Sequence, residues 1–375
     1  MEFLQQRISQ ELSNLEKSGL RRRLSPPTGI DLSSNDYLAL SSHPFIKQRM
    51  AEAVLKSGCG ATASRLLRGE REEFTKVEKL FATFKGTKAA LYFGSGYAAN
   101  IGVLTSFLTS NDLVFSDQLN HASLIDGLRL SSARKIIFPH CNLAVLKELL
   151  EKETCLGQKF LVTESIFSMD GDQAPLKEYA ELCQATNTAL IVDEAHAIGV
   201  YGSHGTGLIE DTAIANSVFL SINPAGKALG VSGAFVAGPD WAIDYLIQSA
   251  RSFIFSTAPP PAIAAALEAS LTIITSEKER RQQLLELAIY LRELLILNEI
   301  AILPGNSQII PVILGDNERA TNVALALQQS GFDVRAIRPP TVPVGTARLR
   351  ISLNINLDQT ILRQFTNRLK QAITN

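Results

Sequence analysis

The chain has 375 residues, of which 46% are hydrophobic and 19% are charged, and its formal net charge is −1. This length allows more than one buried core, and the balanced charge indicates neither nucleic acid nor a membrane surface as a partner. The four cysteines are scattered and form no C-x-x-C pair, so we expect no metal site, no disulfide framework and a cytoplasmic location.

The N-terminal segment is predicted to be an amphipathic helix and not a signal peptide. Residues 1–19 alternate polar and apolar positions at helical spacing and lack a continuous apolar stretch. No run in the chain reaches the ~18 to 20 apolar residues that span a bilayer, so we expect no membrane partner. The apolar positions near one face of the helix are Phe3, Leu4, Ile8, Leu12 and Leu15.

Short apolar runs separated by helical stretches follow from about residue 88, which is the pattern of parallel strands with crossover helices. After Pro259-Pro260-Pro261 the pattern changes to a long helical region over about 262–296, and then to mixed strands and helices. We therefore predict three parts. These are an N-terminal segment (1–44), a large doubly wound α/β domain (45–260) and a smaller C-terminal α+β domain (261–375). The seven predicted strands of the large domain are Ala89–Phe93, Leu113–Phe115, Lys135–Phe138, Phe160–Thr163, Ala189–Val192, Val218–Ile222 and Gly233–Val236.

The segment Asp193-Glu194-Ala195-His196 follows an apolar strand, so both Asp193 and His196 are placed where parallel α/β folds bind ligands. A buried aspartate needs a cationic partner because burying a lone charge is costly, and a protonated pyridine nitrogen is one such partner. The competing interpretation, at about even odds, is a loop aspartate that caps the next helix.

Lys227 lies among small residues in Ala225-Gly226-Lys227-Ala228-Leu229-Gly230, directly after another apolar strand. Small neighbours let a cofactor approach the backbone, and a lysine in an apolar setting can form a Schiff base. Taken alone, a solvated lysine in a glycine-containing turn is the more common case.

Three further motifs are weak when each is taken alone. The segment Gly94-Ser95-Gly96-Tyr97 opens a helix after a strand, where free N–H groups bind anions, although an ordinary tight turn has the same sequence. His121 follows a strand end, as many structural histidines do. Arg348 and Arg350 alternate along a predicted strand and face the same side, which is also typical of surface ion pairs.

The order of these motifs resembles that of the α-oxoamine synthase family of fold-type I enzymes that use pyridoxal 5′-phosphate (PLP). The resemblance runs from about Arg21 to the last helix. Besides the segments above, it is carried by 33–38 (SSNDYL), 163–172 (TESIFSMDGD) and 337–350 (IRPPTVPVGTARLR). It implies a large domain with a mostly parallel seven-stranded sheet and a smaller C-terminal α+β domain.

The resemblance also implies roles for the matching positions. Lys227 would carry PLP and act as a base, Asp193 would pair with the pyridine nitrogen, and His196 would bind the phenolic oxygen. His121 would stack on the ring, and Arg348 would bind the amino-acid carboxylate. The remaining implied contacts are Ser95, Gly96 and Tyr97 with the phosphate or ring edge, Ser168 with the oxygen side of the cofactor, Thr257 with the phosphate of a second subunit, Asn35 beside the carboxylate, and Arg21 with the acyl substrate.

The implied reaction is the decarboxylative condensation of L-alanine with a pimeloyl thioester of CoA or acyl carrier protein, catalysed by a homodimer. The chain departs from the family at Pro224, where the family usually has a threonine whose hydroxyl binds phosphate; proline has neither a hydroxyl nor an N–H. Three alternatives stay open. In the first, the enzyme condenses glycine or serine in place of alanine. In the second, it is a PLP aminotransferase or aldolase. In the third, the chain is a non-catalytic binding protein with this fold.

Overall fold

A computed structural model describes residues 1–374 of the chain. It contains two compact units. The first unit, called the large unit here, comprises Asn35–Ser168 and Asp172–Gln283. The second, the small unit, comprises Met1–Ser34, Met169–Gly171 and Leu284–Asn375. The domain limits drawn from the sequence, at 44/45 and 260/261, stay a prediction.

The secondary structure alternates between strands and helices along most of the chain. The strands are β1 Ile30–Asp31, β2 Ala89–Phe93, β3 Leu113–Asp117, β4 Arg134–Phe138, β5 Lys159–Glu164, β6 Thr188–Asp193, β7 Val218–Pro224, β8 Ala234–Gly238, β9 Ile309–Gly315, β10 Phe332–Asp333, β11 Ala336–Ile337 and β12 Ala347–Ser352. The helices are α1 Glu2–Lys17, α2 Pro44–Ser57, α3 Glu72–Lys85, α4 Gly96–Phe107, α5 Ala122–Leu130, α6 Leu143–Lys152, α7 Leu176–Ala185, α8 Leu208–Asp211, α9 Asp240–Ser249, α10 Arg251–Ile254, α11 Pro261–Ser276, α12 Glu279–Leu297, α13 Asn317–Gln329 and α14 Gln359–Thr374.

The large unit is built on a seven-stranded sheet in the order β2-β8-β7-β6-β5-β3-β4. All neighbouring pairs are parallel except those of β8, which runs antiparallel to both β2 and β7. The central strands are buried on both faces, which explains why they read as continuous apolar runs. The predicted fold-type I architecture, with its mostly parallel seven-stranded sheet, is confirmed.

The strand order indicates which edge of this sheet is expected to bind a ligand. From β3 the chain crosses to β4 on one side and then returns to β5 on the other side of β3. Ligands of open α/β sheets bind at the carboxyl ends of strands near such a switch point. The ends of β5 and β6 and the segments that follow β3 and β7 therefore form the expected site. Glu164 and Asp193 are the last residues of β5 and β6, and His121 and Lys227 follow β3 and β7.

The small unit contains a three-stranded antiparallel sheet, β11-β12-β9, and the parallel pair β1-β10. Helix α1 contributes no buried residue, and its apolar face is exposed, with Phe3 at 79%. Within residues 1–374, no helix is both long enough and apolar enough to cross a membrane.

The long helical region predicted over about 262–296 consists of two helices, α11 and α12, with a break between them. Glu277 leaves the helical conformation, with φ −110° and ψ 62°. Its carboxylate accepts a hydrogen bond from Arg280 Nε at 2.5 Å, so the side chain stabilises the start of the next helix. Neither proline nor glycine marks this break in the sequence.

Candidate active site

A cavity of about 390 Å³ lies at the carboxyl ends of the central strands of the large unit. This volume is in the range of ordinary small-molecule sites. Eight of the predicted site residues line it, although they come from segments far apart in the sequence. They are Asn35, Ser95, Gly96, Tyr97, His121, Asp193, His196 and Lys227.

Asp193 is the last residue of β6, and its carboxylate is held from two directions. Oδ1 accepts a hydrogen bond from the backbone N–H of Ala195 at 2.9 Å, and Oδ2 accepts one from Asn100 Nδ2 at 2.8 Å. The residue is only 4% exposed. These donors fix the orientation of the carboxylate without neutralising it, which leaves a buried acceptor suited to a cationic ligand group.

His121 caps the N-terminus of α5 and faces the cavity. Its Nδ1 accepts a hydrogen bond from the backbone N–H of Ser123 at 3.2 Å and lies 2.7 Å from the Ser123 hydroxyl. Burial lowers the pKa of His121, and nearby Lys227 lowers it further, against the opposing effect of Asp193. The imidazole is therefore neutral at pH 7, with its proton on Nε2.

His196 is fixed by residues from the loop that precedes α2. Its Nδ1 lies 2.6 Å from the hydroxyl of Tyr37, which also donates a hydrogen bond to Asn35 Oδ1 at 3.1 Å. This contact fixes the orientation of the His196 ring in the cavity lining. It also places Asn35 at the cavity, as predicted, through a tyrosine that the sequence analysis did not single out.

Lys227 lies in a closed turn between β7 and β8. Hydrogen bonds from Ala225 N to Gly233 O at 2.8 Å and from Gly230 N to Lys227 O at 2.8 Å fix this turn. Gly233 has a φ of +79°, and a Cβ there would clash with the Tyr92 ring. Gly233 is thus required by the turn that presents Lys227 to the cavity.

The N-terminus of α4 forms the opposite wall of the cavity. The Ser95 hydroxyl caps the helix by accepting from Ala98 N at 3.1 Å. A Cβ on Gly96 would lie 2.8 Å from Pro224 Cγ, so Pro224 packs directly against this helix start. Free N–H groups and the helix dipole favour an anion here, as expected for a phosphate site.

Glu164 is a cavity residue whose function the sequence analysis missed. It ends β5 beside Asp193 in the sheet register, is 2% exposed, and its Oε1 has no hydrogen-bond partner. Burial and the neighbouring Asp193 carboxylate raise its pKa well above the ordinary value. The TES segment contains Glu164, but nothing local in it signals burial.

Two predicted cofactor residues of the large unit, Ser168 and Thr257, do not line this cavity. Ser168 follows the β5 strand end and is 9% exposed. Thr257 is exposed and forms an isolated antiparallel bridge with Ser64. The roles predicted for these two residues stay predictions.

Arg21 and Arg348 belong to the small unit. Arg348 is 4% exposed, and its Nη1 donates to Asp170 Oδ1 at 2.6 Å and to Met169 O at 3.2 Å. Arg21 is half-exposed and pairs with Glu16 at 3.1 Å. The surface ion pairs considered as the alternative for Arg348 are excluded by its burial, since its partner Asp170 lies with it inside the unit.

A second charged cluster lies outside the cavity, beyond the carboxyl end of β3. His140 Nδ1 is 2.9 Å from Asp117 Oδ1, and its Nε2 is 2.7 Å from Asp172 Oδ2. Burial alone would lower the pKa of His140, but the hydrogen bonds to these two carboxylates raise it to about 12. The ring also packs edge-on against Phe167, with centroids 4.4 Å apart. This charged imidazole therefore fastens the loop after β5 to the end of β3.

The donor set of the cavity fits PLP. The buried Asp193 carboxylate, whose orientation is fixed by two hydrogen bonds, faces the cavity, as a pyridinium N–H requires. The N-terminus of α4, with Gly96, offers a phosphate site. A lysine in a glycine-containing turn and two histidines complete the lining. Lys227, Asp193, His196, His121 and the 95–97 segment are the residues that could hold the group.

Comparisons with known proteins agree with this chemistry. The family model described as aminotransferase class I and II matches residues 27–369. A relative from Anaeromyxobacter dehalogenans named 8-amino-7-oxononanoate synthase is 44% identical and covers 92% of this chain and 90% of its own. Another of that name, from Geobacter sulfurreducens, is 41% identical, with 95% of each chain covered.

Solved structures are similar over most of the chain. A serine palmitoyltransferase from S. paucimobilis with a bound PLP–myriocin aldimine has a TM-score of 0.91 at 27% identity. The match covers 97% of this chain and 96% of that one. An 8-amino-7-oxononanoate synthase from Francisella tularensis has a TM-score of 0.80 at 30% identity, covering 92% of this chain and 98% of that one.

Proposed function

The chain belongs to the aminotransferase class I and II family, and from this premise we propose that it is a PLP-dependent acyltransferase of biotin biosynthesis. It condenses L-alanine with a pimeloyl thioester, releases carbon dioxide and the carrier, and forms 8-amino-7-oxononanoate. The observation that carries the proposal is the 40–44% identity, over nine tenths or more of the chain, to relatives named for this product. The cavity supports it, because its residues suit PLP.

The residues of the large unit would hold the cofactor from several sides. Lys227 would attach it covalently, Asp193 would accept a hydrogen bond from its ring nitrogen, and the 95–97 segment would bind its phosphate. When bound, PLP supplies an electron sink that stabilises negative charge on the carbon next to the amino nitrogen. The orientation of Asp193 by Ala195 and Asn100 keeps its carboxylate directed at that ring position.

Proton transfer would depend on Lys227 and the two histidines. The Lys227 amine takes the Cα proton of alanine as a general base. His196, whose ring is oriented by the contact of its Nδ1 with the Tyr37 hydroxyl, would hydrogen-bond to the phenolic oxygen of the cofactor. His121 is neutral with its proton on Nε2, so its ring can stack on the cofactor without adding a positive charge.

Substrate recognition and assembly form the finer part of the proposal. Arg348 would bind the alanine carboxylate with Asn35 nearby, and Arg21 would contact the acyl group. A planar guanidinium suits a carboxylate because it donates two parallel hydrogen bonds. The active form would be a cytoplasmic homodimer in which Thr257, exposed in the single chain, reaches the phosphate in the other subunit. Light scattering that finds an active monomer would contradict this assembly.

The direct test is release of free carrier from pimeloyl-CoA and pimeloyl acyl carrier protein in the presence of alanine, glycine or serine. The proposal expects alanine to give the highest kcat/KM and mass spectrometry to identify 8-amino-7-oxononanoate as the product. Acyl thioesters of shorter and longer chains serve as matched controls for the acyl group. Faster carrier release with glycine or serine at every chain length would contradict the proposed substrate.

Serine is the second candidate for the amino acid, because the fold matches a serine palmitoyltransferase with a TM-score of 0.91. That similarity comes with only 27% sequence identity, against 44% for the first relative named above. The same assay decides between them if a palmitoyl thioester with serine is included.

A further inference from the structure

The buried side-chain amide of Asn100 connects Asp193 and His121, the two residues that would contact the ring nitrogen and the ring face of the cofactor. Asn100 lies on α4, is 1% exposed and lines the cavity. Its Nδ2 donates to Asp193 Oδ2 at 2.8 Å and to Ser123 Oγ at 2.8 Å. Three elements, α4, α5 and the end of β6, therefore meet at one side-chain amide.

The direction of these hydrogen bonds is fixed by chemistry. An ionised carboxylate only accepts, so the nitrogen of the Asn100 amide and not its oxygen must face Asp193. The second N–H of the Asn100 amide then donates to the Ser123 hydroxyl oxygen. The Ser123 proton is directed to His121 Nδ1, which lies 2.7 Å away. The Ser123 backbone N–H donates to the same Nδ1 at 3.2 Å.

We propose that Asn100 is a positioning residue that orients the Asp193 carboxylate and, through Ser123, sets the tautomer of His121. The inference rests on the proposed function only in the roles of Asp193 and His121 toward PLP. Its two consequences are separate. Loss of the amide removes the Asn100 hydrogen bond to Asp193 Oδ2, and it removes the group that orients the Ser123 proton. Burial, with a smaller effect of Lys227, lowers the pKa of His121, which agrees with a neutral ring that accepts at Nδ1.

The first test measures PLP binding to the apoprotein of Asn100→Ala and Asn100→Asp. The alanine variant should bind PLP about tenfold more weakly, equivalent to about 1.4 kcal/mol. The aspartate variant keeps the shape but turns a donor into a second acceptor beside Asp193, so its loss should be greater than that of alanine. Asn354→Ala is the matched control, because Asn354 is also a buried amide, 3% exposed, that donates to Asp31 O at 3.0 Å within the small unit.

The second test follows the histidine rings by ¹⁵N NMR of the full chain, in which five histidines give resolvable signals. In the wild type, Nδ1 of His121 should appear as the unprotonated nitrogen. Ser123→Ala and Asn100→Ala should each shift this resonance towards a mixture of tautomers. The double variant should shift it no further than Ser123→Ala, since Asn100 acts through Ser123.

Unchanged PLP affinity and an unchanged His121 resonance in Asn100→Ala would overturn the proposal. Equal losses of PLP affinity in Asn354→Ala would also overturn it, because the effect would then follow from stability alone. Neither readout depends on which amino acid or thioester is turned over. A failure of the proposed alanine and pimeloyl chemistry would therefore appear in the carrier-release assay and leave these two measurements intact.

Discussion

Replacing Pro224 with threonine tests how the phosphate side of the cavity is built. Pro224 ends β7, lines the cavity and lies against the first residue of α4, 2.8 Å from the position of a Cβ on Gly96. A proline offers neither a hydroxyl nor an N–H at this point. The proposed phosphate site therefore depends on the helix N-terminus and Ser95, without a side-chain donor from residue 224.

The expected gain follows from one added hydrogen bond. A hydrogen bond to a charged group contributes about 1.5 to 3 kcal/mol, which corresponds to roughly ten- to a hundredfold in affinity. Ser221 and Asn223, the polar residues of β7 near Pro224, do not already supply this hydrogen bond. Asn223 Nδ2 donates to Ser221 Oγ at 3.0 Å, and both side chains are buried away from the cavity lining.

The assay is the PLP dissociation constant of the apoprotein. It is measured by titration with PLP, following the absorbance of lysine-bound PLP at about 420 nm. Pro224→Thr should bind PLP about ten- to a hundredfold more tightly than the wild type. Pro224→Val is the control, since it has nearly the same shape and the same new N–H but no hydroxyl. Equal tightening in both variants, or none in threonine, would refute the reasoning.

Three further predictions concern other parts of the chain. Asp193→Asn should retain PLP but lose most of its rate, and a rate within about threefold of wild type, roughly 0.7 kcal/mol, would make the role of Asp193 wrong. Arg348→Lys should raise the alanine KM about tenfold or more, because an ammonium cannot replace two parallel guanidinium hydrogen bonds; the matched variant Arg350→Lys identifies the carboxylate ligand if Arg348→Lys leaves KM unchanged. The folded pKa of His140, about 12, lies above its unfolded value of about 6.5. The contribution of His140 to the free energy of unfolding is therefore complete below the unfolded pKa and declines as pH rises towards the folded pKa. The difference in Tm between the wild type and His140→Gln should accordingly shrink from about pH 6 to about pH 10, and a constant difference would contradict the ion pair.

The sequence was sufficient for the features that depend on local pattern. The apolar strand ending at Asp193 and the small residues around Lys227 are contiguous, so strand periodicity and glycine content located them at the strand ends. Parallel β-strands bring such ends to one edge of the sheet. That single rule explains why the segments after β2, β3, β6 and β7 line one cavity, whereas Asn35 reaches it from the loop before α2.

Features that depend on pairs distant in the chain were not predicted. Asn100 and Asp193 are 93 positions apart, and Tyr37 and His196 are 159 apart. No periodic pattern relates such residues. Burial raises the pKa of Glu164 well above its ordinary value, and Asp170 accepts a hydrogen bond from Arg348 inside the small unit. These properties arise from packing and not from local sequence.

The central claim is that Lys227 holds PLP in this cavity. The most direct measurement is borohydride reduction of the PLP-loaded protein, followed by digestion and peptide mass spectrometry. Reduction makes the bond between the lysine and the cofactor permanent, so the modified residue can be read from the fragment masses. We expect the phosphopyridoxyl group on the peptide that contains Lys227, and no labelled peptide from a folded Lys227→Ala variant. Labelling of a different lysine in the wild type, or turnover by Lys227→Ala, would contradict the account.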